Sequence, residues 1–388
     1  VIISFYHHTF SYPKYNGLVM QLGISKSISK RKKESALIMR KQTKIAAVVS
    51  AAALLALGAS MTSFAASKGT WMMVDGEWYC YDKNGDAYTN VFCSSNGKEY
   101  YVGDDGQLVR SEWVEYDGSY YFVNSSGAKI TNDWRLTTPY DDDSADEDEY
   151  WYYLKKATGK PATGKQSNIN GQIYLFNNEG QMQHGWVAAT DTNGAKFVQL
   201  DKEDDEKPMG AAGDAAVYYC GDEDDGHAKK NKWTKTWLPA NTSEEDDDKE
   251  WFWFDKDGKL FRGGEKNGSV TASDAWKYKL DEGTLKKDAD ESTGVISKKK
   301  VNSKDYWFRP DGVMLAKFYM IDDNMYYFGG SDDGSMKTGS QTVKDNTGDS
   351  YKFYFYTKDT YGYKKGAGVV GNQSNKLYYY GMLIQADD

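Results

Sequence analysis

From about residue 70 onwards, aromatic and polar positions along the chain recur with a period of 21 residues. Two registers show this spacing most clearly, the large aromatic residues Trp71, Phe92, Trp113 and Trp134 and the glycines Gly85, Gly106 and Gly127. Independent positions that share one period over consecutive units indicate a repeat protein rather than an ordinary globular domain.

Each repeat contains a short segment of alternating aromatic residues, as in Trp78–Tyr81, then a polar turn that ends in glycine and a second short apolar segment. Aromatic residues favour strands, and a polar turn closed by glycine is typical of a type I turn with a G1 bulge. We therefore expect β-hairpins that begin near Trp78, Tyr100 and Tyr120.

The same unit continues to the C-terminus with looser spacing. Further hairpins are predicted in EYWYYLKKATGK, GQIYLFNNEGQMQHGW, AVYYCGDEDDGH, KEWFWFDKDGKLF, DAWKYKLDEGTL, DYWFRPDGVML, NMYYFGGSDDGSM, YKFYFYTKDTYG and NKLYYYGM. No segment beyond residue 66 has a sustained helical period. The sequence therefore predicts an all-β fold, a solenoid of stacked β-hairpin repeats of about 20 residues. Irregular acidic inserts interrupt it at Tyr140–Glu149, Glu203–Glu206 and Glu244–Asp248.

The N-terminal part of the chain has a different pattern. Basic residues at positions 40–44 precede the uncharged apolar segment Ile45–Leu57, and small residues follow at Ser63 and Ala65. This order is typical of a secretory signal peptide, and the apolar segment is too short for a transmembrane helix.

Three regions follow from this pattern. Residues 1–38 precede the methionine at which a signal peptide should start, and we interpret them as a mis-called N-terminal extension. Residues 39–66 form the signal peptide, with cleavage expected after Ala65 or Ala66. Residues 67–388 form the repeat region. The protein is predicted to be secreted and extracellular, with no transmembrane segment once the signal peptide is removed.

Composition and charge narrow the range of partners. Aromatic residues make up 15% of the chain, including 31 Tyr and 12 Trp, which suits thin stacked layers better than a thick aliphatic core. Residues 1–65 hold nine of the 48 basic residues and one of the 57 acidic ones, so the remainder has a net charge of −17. Such an acidic surface disfavours nucleic acid as a partner and attracts cations.

The sequence contains no recognisable catalytic or metal site. No zinc-protease helix, nucleophile elbow or Cys/His metal spacing is present. An odd number of cysteines (Cys80, Cys93 and Cys220) argues against a disulfide framework. Cys80 and Cys220 occupy positions that are aromatic or apolar in other repeats, so we expect them to be small buried residues. We expect a non-enzymatic protein that needs no cofactor and no metal.

The aromatic residues themselves are the remaining candidates for function. Side chains alternate between the two faces of a strand, so about half of the strand aromatics should form the core. The others, with the tryptophan ahead of each hairpin, could form clefts between neighbouring repeats or simply seal one hairpin against the next. Aromatic clefts suit a quaternary ammonium group, held by cation–π attraction, or a sugar ring stacked on an aromatic face.

The repeats resemble the choline-binding, or cell-wall-binding, repeats of Gram-positive surface proteins. The match is good in Gly185-Trp186-Val187 and Gly76-Glu77-Trp78-Tyr79, and weaker in Glu112-Trp113-Val114, Asp133-Trp134 and Thr70-Trp71, where the first glycine is lost. It covers about residues 69–388 and is closest over 69–135. Related repeats occur in glucan-binding regions and in clostridial toxins, where they bind sugars.

The resemblance implies pockets built from three aromatic residues of two consecutive hairpins. Carried over, the first pocket would use Trp71, Trp78 and Tyr101, and a later pocket would use Trp113 and Tyr120. Further candidates are Trp134, Trp151, Tyr174 and Trp186. The chain departs from the motif where Glu99, Ile173, Val217 and Met325 replace the strand tryptophan, and the Gly-Trp element is lost after Trp237. The C-terminal third is therefore expected to act as a spacer.

The resulting hypothesis is a secreted cell-surface protein attached non-covalently to the wall, through choline of teichoic acid or through a wall polysaccharide. Two alternatives stay open at this point. One is a glucan-binding or host-glycan-binding module, or adhesin, and the other is a structural stalk without a ligand. Association of two copies into a homodimer is also left open.

Overall fold

The computed structural model describes residues 69–140, 148–190, 196–200, 215–239, 248–264, 270–272, 275–288 and 293–385. The predicted N-terminal extension, the predicted signal peptide and most of the acidic inserts lie outside the described residues. Within the described ranges the chain forms β-strands and turns without an α-helix, which confirms the predicted fold class. No helix that could span a membrane occurs in this part of the chain.

The chain divides into two compact units. The first comprises residues up to Asp133 together with Leu154–Pro161, and the second comprises Trp134–Tyr153 and the residues from Ala162 onwards. The first six strands are β1 (Thr70–Val74), β2 (Glu77–Tyr81), β3 (Val91–Ser95), β4 (Lys98–Val102), β5 (Glu112–Tyr116) and β6 (Ser119–Val123). Strands β1, β3 and β5 are the first strands of three consecutive hairpins, and they start 21 residues apart, as the sequence period predicts.

The hairpins pair different segments from those expected. The antiparallel pair β1–β2 turns at Asp75 and Gly76, whose φ angles of 52° and 91° fit a two-residue type I′ turn. The segment after the predicted turn Asp82–Gly85 adds only a single bridge, between Tyr81 and Ala87. The prediction that the aromatic strand pairs with the segment after it was therefore wrong, because its partner is the tryptophan-containing segment ahead of it.

The same turn closes the next two hairpins, at Asn96-Gly97 and Asp117-Gly118. Asn-Gly and Asp-Gly are the strongest short signals for a two-residue hairpin. The predicted glycine-closed turn does form between hairpins, since Gly85, Gly106 and Gly127 all have positive φ. Each repeat therefore contains a tight hairpin followed by a glycine-closed turn that leads into the next hairpin.

The later strands vary more in length and partner. They are β7 (Asp133–Thr137), β8 (Tyr150–Leu154), β9 (Gly164–Ile169), β10 (Gln172–Phe176), β11 (Trp186–Ala189), β12 (Phe197–Gln199), β13 (Val217–Tyr219), β14 (Lys232–Thr236), β15 (Glu250–Phe254), β16 (Val270–Ala272), β17 (Ala275–Asp281), β18 (Thr284–Lys287), β19 (Ile296–Val301), β20 (Lys304–Phe308), β21 (Phe318–Ile321), β22 (Asn324–Tyr327), β23 (Gly339–Lys344), β24 (Ser350–Phe355), β25 (Gly371–Gln373), β26 (Lys376–Tyr379) and β27 (Met382–Leu383).

Among these strands, β7–β8, β9–β10 and β14–β15 form two-stranded sheets. Larger sheets have the orders β12-β11-β13, β16-β19-β20, β18-β17-β21-β22 and β23-β24-β27-β26-β25. The acidic inserts fall in connections within this part, for example between β7 and β8 and between β14 and β15.

The core of each unit consists of small layers between consecutive hairpins. One such layer in the first unit contains Phe92, Tyr101, Val114, Tyr121 and Val123 from strands β3 to β6. Because a lone hairpin is only marginally stable, these shared layers provide the burial that a single repeat lacks.

The cysteines belong to these layers. Cys80, Cys93 and Cys220 are free thiols with no exposed surface, which confirms the expected burial of Cys80 and Cys220. Burial raises the pKa of the Cys220 thiol above its ordinary value. A thiol that is buried and protonated is a poor nucleophile.

Candidate ligand-binding pockets between hairpins

One arrangement of side chains recurs at five of the described junctions between consecutive hairpins of the same unit. Its first member, the lead residue, is an aromatic residue in the first strand of a hairpin. Lead residues include Trp71, Phe92, Trp134, Trp186 and Trp233. Each contacts a ring of the following hairpin, respectively Tyr100, Tyr121, Tyr174, Phe252 and Tyr306, with ring centroids 4.8–5.8 Å apart.

Two further residues complete the arrangement. The wall residue lies in the second strand of the lead residue's hairpin, and the cover residue follows the next glycine-closed turn and donates its backbone N–H to the wall residue's carbonyl. The wall and cover pairs are Trp78 and Leu108, Glu99 and Lys129, Trp151 and Met182, Val217 and Leu260, and Trp251 and Met314, with N···O distances of 2.7–2.9 Å. A pocket between two hairpins therefore consists of four side chains, namely the lead residue, the ring of the following hairpin, the wall residue and the cover residue, each at a fixed position in the repeat.

Pocket A combines Trp134, Trp151, Tyr174 and Met182. The Trp134 ring lies 6.4 Å from Trp151 and 4.8 Å from Tyr174 by centroid, and both contacts are edge-to-face. All three aromatic rings are half-buried, so each is packed yet keeps accessible surface. The structure brings together three of the residues that the sequence singled out.

The surroundings of pocket A fix its rings and keep Tyr174 neutral. Trp134 also packs on Tyr153 and Phe176, at 5.1 and 5.8 Å between centroids. Burial and the nearby carboxylate of Asp225 raise the pKa of Tyr174, so this ring stays a neutral phenol at physiological pH. Asp225 is itself paired with Lys229 at 2.6 Å, so the attraction of this cleft for a cation comes from its aromatic faces.

A close contact with Gly226 holds Met182 against the rings of pocket A. Gly226 has φ +58°, and a Cβ atom placed there would lie 2.2 Å from the Met182 sulfur. Glycine is thus needed for both its conformation and the close approach. Met182 belongs to one buried cluster with Trp134, Trp151 and Tyr174.

Pocket B repeats this arrangement with Trp233, Trp251, Tyr306 and Met314. The Trp233 ring contacts Tyr306 at 4.8 Å and stacks on Phe308 at 5.7 Å. The sequence analysis named neither Trp233 nor Trp251 as a candidate and so missed this pocket. A signal was present, since Trp233 precedes Trp251 by 18 residues and Trp134 precedes Trp151 by 17, each pair separated by an acidic insert.

A charged pair borders pocket B. The Trp251 indole N–H donates to Asp332 at 2.8 Å, and the Lys235 ammonium lies 2.7 Å from the same carboxylate oxygen. These hydrogen bonds, with that of Lys235 the stronger influence, hold the pKa of Asp332 below its usual range. The carboxylate therefore stays ionised at the rim and orients the wall indole.

The first predicted pocket is assembled with a different third ring. Trp71 and Trp78 are half-buried in adjacent strands of one hairpin, and the ring that contacts Trp71 is Tyr100, at 5.8 Å. Tyr101 faces the other side, where it packs on Phe92 at 5.1 Å. Its hydroxyl donates to the Glu115 carbonyl at 2.9 Å. The structure thus does not bring Tyr101 together with Trp71 and Trp78.

Three other predicted residues have separate environments. Trp113 is half-buried and packs edge-on against Phe122 at 5.2 Å, and the half-buried Tyr120 lies opposite Glu115 in the same hairpin. Trp186 is a core residue, 6% exposed, and its indole N–H donates to the Trp237 carbonyl at 2.7 Å. Its wall residue is Val217, so this junction between hairpins is filled and offers no open aromatic cleft.

The described ranges hold no group of three or more His, Cys, Asp or Glu residues that could bind a metal ion.

No protein-family profile matches the chain, and no curated protein matches it. Solved structures do. The modular autolysin LytC from Streptococcus pneumoniae is 19% identical, with 81% of this chain and 52% of that chain covered and a TM-score of 0.41. Choline binding protein F from the same organism is 18% identical, with 82% and 99% covered and a TM-score of 0.30.

The choline-binding domain of CbpL from Streptococcus pneumoniae is 20% identical, with 69% of this chain and 96% of that domain covered and a TM-score of 0.36. The autolysin has also been solved in complex with a synthetic peptidoglycan ligand. The match spans about half of the autolysin's length. In its repeat motif and in the solved structures that it matches, this chain is similar to the choline-binding repeat proteins.

Proposed function

We propose that this chain is a secreted, non-enzymatic binding protein that attaches to the bacterial cell wall by holding quaternary ammonium groups, such as the choline of teichoic acid, in pockets A and B. The observation that carries the proposal is the pair of aromatic clusters at equivalent repeat positions, Trp134, Trp151 and Tyr174 and then Trp233, Trp251 and Tyr306, in which Tyr306 is buried and the other five rings are half-buried.

The chemistry of these clefts favours a cation that carries methyl groups. A quaternary ammonium cannot donate a hydrogen bond, so its attraction comes from aromatic faces and from contact with apolar side chains. Pocket A offers three rings and the Met182 thioether, a soft and adaptable contact. Each ring should contribute about 0.5–2 kcal/mol, which gives a weak individual site.

Attachment to a wall does not need a strong individual site. A polymer that carries many ligand groups can occupy two linked pockets together, and the second binding event then benefits from a high effective concentration. The excess of acidic residues adds long-range attraction for cationic groups. Secretion rests on the signal-peptide pattern of residues 39–66.

The proposal is tested by titrating the purified chain with choline by calorimetry and by measuring its retention on a choline resin. Trp151→Ala should weaken pocket A, and Trp251→Ala should weaken pocket B. The loss of one ring should reduce the affinity of that pocket about 2- to 30-fold. The double variant should be retained less than either single variant, because the cleft formed by Trp71, Trp78 and Tyr100 then remains without pockets A and B.

Trp276→Ala is the matched control. Trp276 is half-buried in the same unit but outside both pockets, and the Lys287 ammonium lies 3.3 Å from its ring centroid. This variant should bind choline like the parent chain. Equal losses in the control and in the pocket variants would contradict the proposal. Retention on a glucan resin but not on choline would assign the clefts to sugar binding.

A further inference from the structure

The junction between the second and third hairpins already contains a cation, and that cation belongs to the chain. The Lys129 ammonium lies 5.0 Å from the centre of the Phe92 ring and 5.2 Å from the centre of the Tyr121 ring. It also forms an ion pair with Glu99. Phe92 and Tyr121 are the lead residue and the following ring at this junction, the positions that Trp134 and Tyr174 occupy in pocket A.

The two charged residues occupy the two remaining pocket positions. Glu99 is the wall residue, where pockets A and B have tryptophan, and Lys129 is the cover residue, where they have methionine. The Lys129 N–H donates to the Glu99 carbonyl at 2.7 Å, as the Met182 N–H does to Trp151 at 2.9 Å. The backbone is therefore the same, and an acid–base pair has replaced an aromatic–thioether pair.

The position of the ammonium differs from that of an ordinary surface lysine. The Lys129 side chain is 14% exposed, whereas a surface ion pair usually leaves the lysine end in water. Here the ammonium lies beside two rings and the Glu99 carboxylate. Both rings are themselves buried, with 4% of Phe92 and 8% of Tyr121 exposed. These groups supply the cation–π and ionic contacts that a bound cation would use.

We propose that Lys129 is a built-in ligand which closes the second inter-hairpin pocket to external cations, with Glu99 as its anchor. A tethered ammonium has a much higher local concentration than a free ligand, so a weakly bound solute cannot displace it. Glu99 and Lys129 therefore determine whether this one pocket accepts a ligand.

The first test does not depend on choline. The folded chain is treated briefly with an amine-acylating ester, and modification of single lysines is followed by peptide mass spectrometry. Lys129 should react at least tenfold more slowly than Lys98, an exposed lysine at the start of β4. In denaturant the two should react at similar rates. Equal rates in the folded chain would overturn the proposal.

The second test converts the closed pocket into an open one, and its expected result rests on the proposed choline function. The double variant Glu99→Trp with Lys129→Met installs the wall and cover residues of pocket A. It should bind one more equivalent of choline per chain than the parent. A folded double variant that binds no more than a choline-binding parent would overturn the proposal.

The two tests separate this inference from the proposed function. If neither the parent nor the double variant binds choline, the proposed function fails, and the acylation rate of Lys129 alone decides whether the pocket is filled. If the double variant does not fold, the acylation rate in the parent again decides. Circular dichroism of both chains establishes which case applies.

Discussion

Pocket A separates two roles that tryptophan can have in this fold, and a matched pair of substitutions tests them. Trp134 lies between hairpins and has four ring neighbours with centroid distances of 4.8–6.4 Å. Among the described residues Trp151 has one ring neighbour, Trp134. We predict that Trp134→Ala mainly destabilises the fold and that Trp151→Ala mainly weakens ligand binding.

The magnitudes follow from these contacts. Replacing a buried tryptophan by alanine costs about 3–5 kcal/mol, and the half-buried Trp134 should lie near 3 kcal/mol. Trp151→Ala removes one aromatic pair, which should lower the free energy of unfolding by about 0.5–1.5 kcal/mol. The same substitution removes one cation–π wall and should lower choline affinity by about 2- to 30-fold.

Urea unfolding followed by far-ultraviolet circular dichroism measures the first quantity, because tryptophan fluorescence would change with the substitution itself. Two compact units can unfold separately, so the midpoint of each transition is compared rather than one global free energy. Choline titration measures the second quantity. Equal destabilisation by Trp134→Ala and Trp151→Ala would refute the distinction between a tryptophan that stabilises the fold and one that binds the ligand.

Two further predictions concern stability. Gly334→Ala should destabilise the second unit by about 1–3 kcal/mol in urea unfolding, because φ is +66° and the new Cβ would meet the Met314 sulfur at 2.0 Å. Partial burial opposes ionisation of Asp225, but hydrogen bonds from Lys229 and His227 outweigh it and hold the pKa of that carboxyl below its usual range. The folded state thus binds fewer protons than the unfolded state, so the contribution is complete above about pH 5 and is lost as pH falls through the folded pKa. Asp225→Asn should lower the midpoint at pH 7 and flatten its decline below pH 4; an unchanged acid decline would contradict this assignment.

The repeat period was the most informative feature of the sequence, and it fixed the spacing of the first hairpins. It could not show which neighbouring segment pairs with each aromatic strand. The turn Asp75-Gly76 contained that information, because an Asp-Gly pair favours a two-residue type I′ turn. The longer glycine-closed turn nearby has equally typical turn residues, so local sequence supports both arrangements.

The choice between Tyr100 and Tyr101 illustrates a second limit. Successive side chains of a strand point to opposite faces, so an error of one residue exchanges the pocket side for the core side. Two adjacent tyrosines give no indication of which faces the preceding hairpin. Their assignment depends on register: Tyr101 lies opposite Phe92 in its own hairpin, and Tyr100 is left to meet Trp71.

Pocket B was hidden by the insert between its strands. The period search depends on constant spacing, and the connection between β14 and β15 removes it. The replacement of the strand tryptophan by Glu99 was visible in the sequence, but its pairing with Lys129 was not. Those residues are 30 positions apart, and only the packing of consecutive hairpins brings them together.

The construction of each pocket from two consecutive hairpins has an evolutionary consequence. Duplication of a repeat in frame would create a complete new binding site at once, since the copied lead and wall residues would meet the ring and cover residue of the hairpin that follows. Conversely, changes at the wall and cover positions silence one site while the backbone that joins the hairpins stays intact. Ligand capacity can therefore increase by duplication and decrease by point mutation, and neither route requires the fold to be rebuilt.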